Sequence, residues 1–250
     1  MKPIQSLISL ISTITFFTGY ATLVFGASNP PDFSGVWVAF ASEQGSGRNI
    51  SQELSTEGKA LQEAYLSQYP NWVEPGAYCV PPGMPSTMTS MVSYPIEVIQ
   101  TPNRITMLAE LEMQVRRIFL DGRDHPDYLP ATRMGHSIGH WEDDTLVIET
   151  QLLRETLSGR WPRTENTTIT ERVWMTSQDK IEARASGFVA SIQKPINDDV
   201  LVFELTIDDP VLYGDPRQVT MYYQRMSDDV FLEYDCQVEH WQKALKAANP

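Results

Sequence analysis

From residue 96 onward the chain alternates apolar and polar positions in short runs, each closed by a polar turn. Side chains of a strand point to opposite faces in turn, so runs of this kind predict half-buried strands. They fall at residues 96–101, 104–110, 112–120, 167–176, 180–189, 200–207, 218–225 and 230–236, with an earlier one at 32–40, DFSGVWVAF. Pro102-Asn103, Ser177-Gln178-Asp179, Asn197-Asp198-Asp199, Asp208-Asp209-Pro210 and Ser227-Asp228-Asp229 supply turn chemistry between them. With a hairpin at 134–150 this makes about ten antiparallel strands, the pattern of a sandwich or an up-and-down barrel. One helix is predicted at 51–68, capped by Ser51 and carrying a partial apolar stripe of Leu54, Ala60, Leu61, Ala64 and Tyr65. Residues 69–89 are rich in proline, glycine, serine and threonine and are expected to form a long irregular loop.

The stretch 134–150, MGHSIGHWEDDTLVIET, fixes its own register. An Asp143-Asp144 turn sets Glu142 opposite Thr145, then Trp141 opposite Leu146, His140 opposite Val147, Gly139 opposite Ile148 and Ile138 opposite Glu149. Trp141, Leu146 and Ile148 share a face that reads as core. His136, Ile138, His140, Val147 and Glu149 share the other. Glu149 then lies diagonally between two imidazoles, roughly 7–8 Å from each. A single metal ion held by His136 and His140 is not expected, because four residues along a strand span about 13 Å.

Residues 1–27 hold one charged side chain, Lys2, followed by an apolar run ending in Gly26-Ala27-Ser28. This is the pattern of a cleaved signal peptide, with an uncleaved membrane anchor as the alternative. Cleavage leaves residues 28–250 as one β-barrel domain, one charge unit more negative than the −13 of the whole chain. That acidity argues against nucleic acid and anionic membrane surfaces as partners. No later stretch is long and apolar enough for stable membrane insertion. In an exported chain, Cys79 and Cys236 are expected to form a disulfide, the alternative being two separately buried thiols.

Several stretches together resemble a family of exported, largely uncharacterised bacterial proteins: DFSGVW (32–37), CVPPGMP (79–85), YPIEVIQTPNRITML (94–108), RRIFLDGRDHP (116–126), GHSIGHWEDDTLVIET (135–150), TERVW (170–174) and LTIDDPVLYGDP (205–216). The family's hairpin pattern reads GHSIGRWEGDTLVVDT. His136, Trp141, Glu142 and Asp144 match it, while His140 and Asp143 depart. His125 matches as well, and Arg163 stands where the family pattern has a histidine. The resemblance implies export and a mainly β, antiparallel, lipocalin-like (calycin-type) barrel of about eight to ten strands with one N-terminal helix. It implies no reaction.

A barrel of that size encloses room for one small ligand. Met107, Met113, Val115, Phe203, Met221 and Tyr223 are the expected apolar lining, and ten methionines fit an adaptable pocket or simply a filled core. The residues singled out for acid–base work are His136, His125, Glu149 and Asp209, the last also a plain turn residue. Of the adjacent Arg116 and Arg117, one must point inward and would need a carboxylate such as Glu110 or Glu112. The expected ligand-binding set is Arg117, Glu110, Trp141 and Tyr223. Nucleophile elbow, phosphate-binding loop, zinc-protease helix and dinucleotide fingerprint are all missing, so no cofactor or metal is expected. Three readings follow. The barrel binds a hydrophobic small molecule and transforms it by cofactor-free isomerase, lyase or cyclase chemistry; it carries or senses such a ligand without turnover; or it is a packed structural core.

Overall fold

The computed structural model describes residues 29–43, 53–68, 79–89, 94–181, 194–239 and 243. The proposed signal segment lies outside them, as does most of the strand expected at 180–189. Nine described strands close into a barrel in sequence order: β1 (Gly35–Ser42), β2 (Ile96–Thr101), β3 (Arg104–Ala109), β4 (Gln114–Phe119), β5 (His136–Glu142), β6 (Thr145–Gln151), β7 (Thr168–Ser177), β8 (Asp199–Asp208) and β9 (Arg217–Met226). β1 pairs with both β2 and β9, which closes the sheet of described strands on itself. The β5–β6 hairpin keeps the register that its alternation dictates, from Glu142↔Thr145 out to His136↔Gln151. Asp143 takes a positive φ of 53° at the turn, a conformation that aspartate tolerates better than most residues.

Three expectations need correction. The sheet is not wholly antiparallel: β4 and β5 run parallel through Ile118↔Ser137 and Phe119↔Ile138. The connection from Leu120 to Gly135 is long enough to carry the chain back before it re-enters the sheet. The strand expected at 230–236 is instead a short 3₁₀ turn at Asp228–Val230 followed by irregular chain. And α1 spans Thr56–Ser67, with Ser55 rather than Ser51 as its cap. The Ser55 hydroxyl accepts from Gly58 N and donates to Val211 O, while Ser55 N donates to Leu212 O, so tertiary bonds choose the cap.

Only Gly58 of α1 is fully buried. The helix is held by its cap and by backbone approach more than by its apolar stripe, and Leu61 remains exposed.

The core lies inside the barrel. Trp37, Ile105, Ile118, Leu146, Ile148, Ile169, Val173, Phe203, Leu205, Ile207, Val219 and Met221 pack there. One end is filled by the segment expected to be an irregular loop. Its 79–89 part is compact and carries a short helix, α2 (Ser86–Thr89), with Met84, Met88 and Thr89 wholly buried. Tyr223 Oη donates to Met88 O at 2.6 Å, Trp161 Nε1 to Thr89 Oγ1 at 2.8 Å, and Gly83 N to Gln114 Oε1 at 3.0 Å. A Cys79–Cys236 disulfide ties this plug to the C-terminal segment, with Cα atoms 5.7 Å apart. It closes a chain loop of 157 residues, worth about 5 kcal/mol on chain-entropy grounds.

A Cβ at Gly58 would meet Leu212 O at 2.4 Å, whereas at Gly122 it would meet nothing. Gly58→Ala is therefore expected to cost about 1–3 kcal/mol of stability by overpacking against rigid backbone. Gly122→Ala, which carries only the positive-φ strain, should cost about 1–2 kcal/mol. Denaturant unfolding with proteolysis at α1 checks both: only Gly58→Ala should loosen the helix.

Candidate functional site

Among the described residues, one ion pair lies almost wholly buried inside the barrel. Arg116 on β4 pairs with Met107 on β3, so its side chain shares the inward face of β4 with Gln114 and Ile118. Both nitrogens of its guanidinium fork donate to Glu171 of β7, Nη1 to Oε1 at 3.0 Å and Nη2 to Oε2 more closely. Arg116 Nε donates to Ser137 Oγ at 3.2 Å and Nη2 to Thr150 Oγ1 at 2.8 Å, and the two hydroxyls bond each other at 2.8 Å. Arg116 is 2 % exposed and Glu171 not at all. A buried bidentate pair of this kind keeps both charges only because the surrounding hydroxyls complete the donor and acceptor set.

Arg117, expected to bind ligand, points outward to solvent, as do Met113 and Val115, expected in the lining. The face Val115-Arg117-Phe119 is the more hydrophobic of the two, and this misdirects parity; the partner strand decides, because Met107 stands beside Arg116. Glu110 does not reach an arginine. Its carboxylate accepts from Leu232 N at 2.7 Å and holds the C-terminal segment against the barrel end. Glu171 was visible in principle: within TITERVW it shares parity with Ile169 and Val173, a charge in an otherwise apolar alternation. Met107, Phe203, Met221 and Tyr223 all lie buried inside. Tyr223 stands beneath the plug with its ring edge-on to Phe203, and burial raises its hydroxyl well above the ordinary phenol range. Trp141 is half-buried on the core side, tilted against Phe33 at 5.1 Å between centroids.

The histidines collect elsewhere. His136 lies on the outer wall, yet is nearly buried because His125, from the loop after β4, covers it. Their Nδ1 atoms are 2.8 Å apart, a distance that requires one shared proton. Phe119 stacks on His136, and the Arg123 guanidinium lies over Phe119 at 3.9 Å. His125 Nε2 sits 3.6 Å from Glu149 Oε1, too far for a hydrogen bond, and is otherwise without one. His140 is exposed on the same strand and faces Glu142. So His125, His136 and Glu149 come together, but outside the barrel and away from Arg116 and Tyr223.

Asp209 is apart from both groups. It is buried at the end of β8, where its carboxylate accepts from Thr164 N and Oγ1, Thr167 Oγ1 and Leu212 N. Burial pushes its pKa up; the four hydrogen bonds outweigh that and hold it below the ordinary carboxylate range. Its geometry is that of a cap for two loops.

Among known proteins, no family model matches the chain and no curated protein matches it. Solved structures that match include the fluorescent protein UnaG, both as a point mutant (12% identity, 78% of this chain and 96% of that one, TM-score 0.38) and as the wild type (13%, 77% and 96%, 0.36). Human cRBP IV is a third, at 10% identity over 78% of this chain and 99% of that one, with a TM-score of 0.34. The closed nine-strand barrel rests on the strand pairing itself.

Two outcomes are expected. Burial first, and the neighbouring His125 and Arg123 charges next, hold His136 below the ordinary imidazole range; burial does the same to His125 against the pull of Glu149 and Asp124. The unfolded or undocked state therefore takes up protons first as pH falls. The pair's contribution is complete above about pH 6.5 and is lost below it. Proteolysis at residues 121–131 should accelerate between pH 7.5 and 5, and a rate independent of pH would contradict this. In the interior, Glu171→Gln is expected to cost about 3–5 kcal/mol by stranding Arg116, while Arg116→Met with Glu171→Leu should return stability close to that of the parent. Chemical denaturation of the two variants and the parent measures it.

Proposed function

We propose that this protein binds a hydrophobic small molecule within the barrel, beneath the plug formed by residues 79–89. The observation that supports this most is the distribution of polar groups. The three described histidines lie on or outside the wall, while the interior around the Arg116–Glu171 pair presents mainly apolar side chains from the strands and methionines from the plug. Met84, Met88, Met107 and Met221 give that interior unbranched, polarisable side chains that repack around a guest at low cost. A closed barrel of this strand number has the diameter for one small ligand or for its own side chains.

Binding without turnover is better supported than acid–base catalysis. Histidine chemistry would have to act at the outer wall, where the Nδ1 atoms of His125 and His136 are engaged with each other. Inside, the candidate base is Glu171, and both of its oxygens accept from Arg116. The interior pair thus supports a fixed polar landmark for a guest, with Arg116 and the Ser137 and Thr150 hydroxyls beside it, more than a proton-transfer group.

We also read the chain as exported. The Cys79–Cys236 disulfide fits an oxidising compartment, and among the described residues no helix is long and apolar enough to cross a membrane.

An environment-sensitive apolar fluorophore titrated into residues 28–250 should bind saturably at one site. Met221→Trp, which fills the interior, should weaken it by tenfold or more, while the outward Arg117→Gln leaves it unchanged. Equal binding by all three proteins would move the site to the surface, and no saturable binding would favour the packed core.

A further inference from the structure

Two of the described arginines, Arg116 and Arg163, are almost wholly buried, and they are treated differently. Arg116 has a carboxylate. Arg163, 3 % exposed, has none: among the described residues no carboxylate forms an ion pair with it. Its Nε donates to Arg154 O at 2.9 Å and its Nη2 to Pro82 O at 3.3 Å. Carbonyl dipoles satisfy hydrogen bonds without cancelling a charge, so the guanidinium is desolvated and uncompensated.

Further positive charge surrounds it. Arg163 exchanges backbone bonds with Thr156 at 2.7 and 2.9 Å, which brings Arg154 alongside. Arg154 N in turn donates to Thr132 O at 2.8 Å, and the next residue, Arg133, accepts from Met84 N of the plug through its carbonyl at 3.0 Å. Burial first, then the charge of Arg133 and more weakly that of Arg154, push the Arg163 guanidinium down to about 10 against an opposing pull from Tyr213. Of the nearby acids, Asp209 is committed to Thr164, Thr167 and Leu212, and Glu155 is exposed. A cluster of cations in a chain of net charge −13 is not a by-product of basic composition.

We propose that Arg163, Arg154 and Arg133 form a binding site for an oxyanion, a carboxylate or phosphate, at the base of the plug, and that this anion is the head group of the barrel's ligand. The second half rests on the ligand-binding reading above. Guanidinium groups suit planar or tetrahedral oxyanions because their paired N–H donors match two oxygens at once. Arg154 is exposed and Arg133 half-buried, so the outer members of the cluster are open to an anion from solvent. Pro82, which Arg163 holds, lies two residues before Met84, and a tail attached to an anion here runs past Met84 and Met88 into the barrel.

The test titrates decanoate, decanol and inorganic phosphate into the disulfide-intact protein by calorimetry, alongside R133Q/R154Q and R163Q. The double variant alters exposed and half-buried side chains, so it reports even if R163Q fails to fold. Decanoate binding at least tenfold tighter than decanol, with the difference lost in R133Q/R154Q, supports the site and its ligand class. Phosphate binding that needs the arginines, with neither alkyl compound bound, supports an oxyanion site for a free anion and removes the ligand-binding reading. Equal affinity for decanoate and decanol with no phosphate binding leaves that reading standing and overturns the anion site. Phosphate binding undiminished in R133Q/R154Q overturns it too.

Discussion

The Arg116–Glu171 pair is the interaction on which the barrel's interior depends. Two opposite charges sit among mainly aliphatic and aromatic side chains, and they persist because polar side chains from four strands close a network around them. The cost of burying them is large, and their geometry is correspondingly rigid. β4, β5, β6 and β7 each contribute one member, so the pair fixes the mutual register of the very strands that include the parallel junction. At that junction two residue pairs carry the pairing, and the side-chain bond from Arg116 to Ser137 reinforces it.

The remainder of the architecture follows from closing a tube at its ends. At one end the plug bonds to Tyr223, Trp161 and Gln114 and is secured by the disulfide. Asp209 gathers the loops around Thr164 and Leu212, and Tyr213 Oη donates to Pro162 O in the same region. The loop after β4 rests on the outer wall through the two imidazoles. Among the described residues, the hydrogen bonds and ion pairs that reach β5 and β6 from residues 124–131 run through His125. The polar groups that suggested chemistry are thus divided among three places, each with a structural task, and only the interior network faces the space in which a guest would sit.

Much of the fold was legible because alternation is a direct image of a two-sided sheet. The hairpin register, the strands at 96–101 and 200–207 and the inward Met107, Phe203, Met221 and Tyr223 all followed from it. Parity failed where both faces of a strand are mixed. In QVRRIF the outward side carries valine and phenylalanine and the inward side glutamine and arginine, so hydrophobicity pointed the wrong way. The helix cap, the α2 plug and the Arg163 environment are set by contacts between residues far apart in sequence, for which local patterning has no signal. His125 and His136 were both conspicuous as residues, but their meeting depends on the course of a loop that no periodicity describes.

The central claim is that this barrel's working surface is its interior. Methyl NMR of the protein labelled at methionine, titrated with a saturable apolar ligand, tests it most directly. The account predicts shifts at Met84, Met88, Met107 and Met221, the buried methionines of the main core, with the exposed Met113 unmoved. Perturbation of Met113 with silence from the four buried methyls would place the ligand on the outside and contradict it.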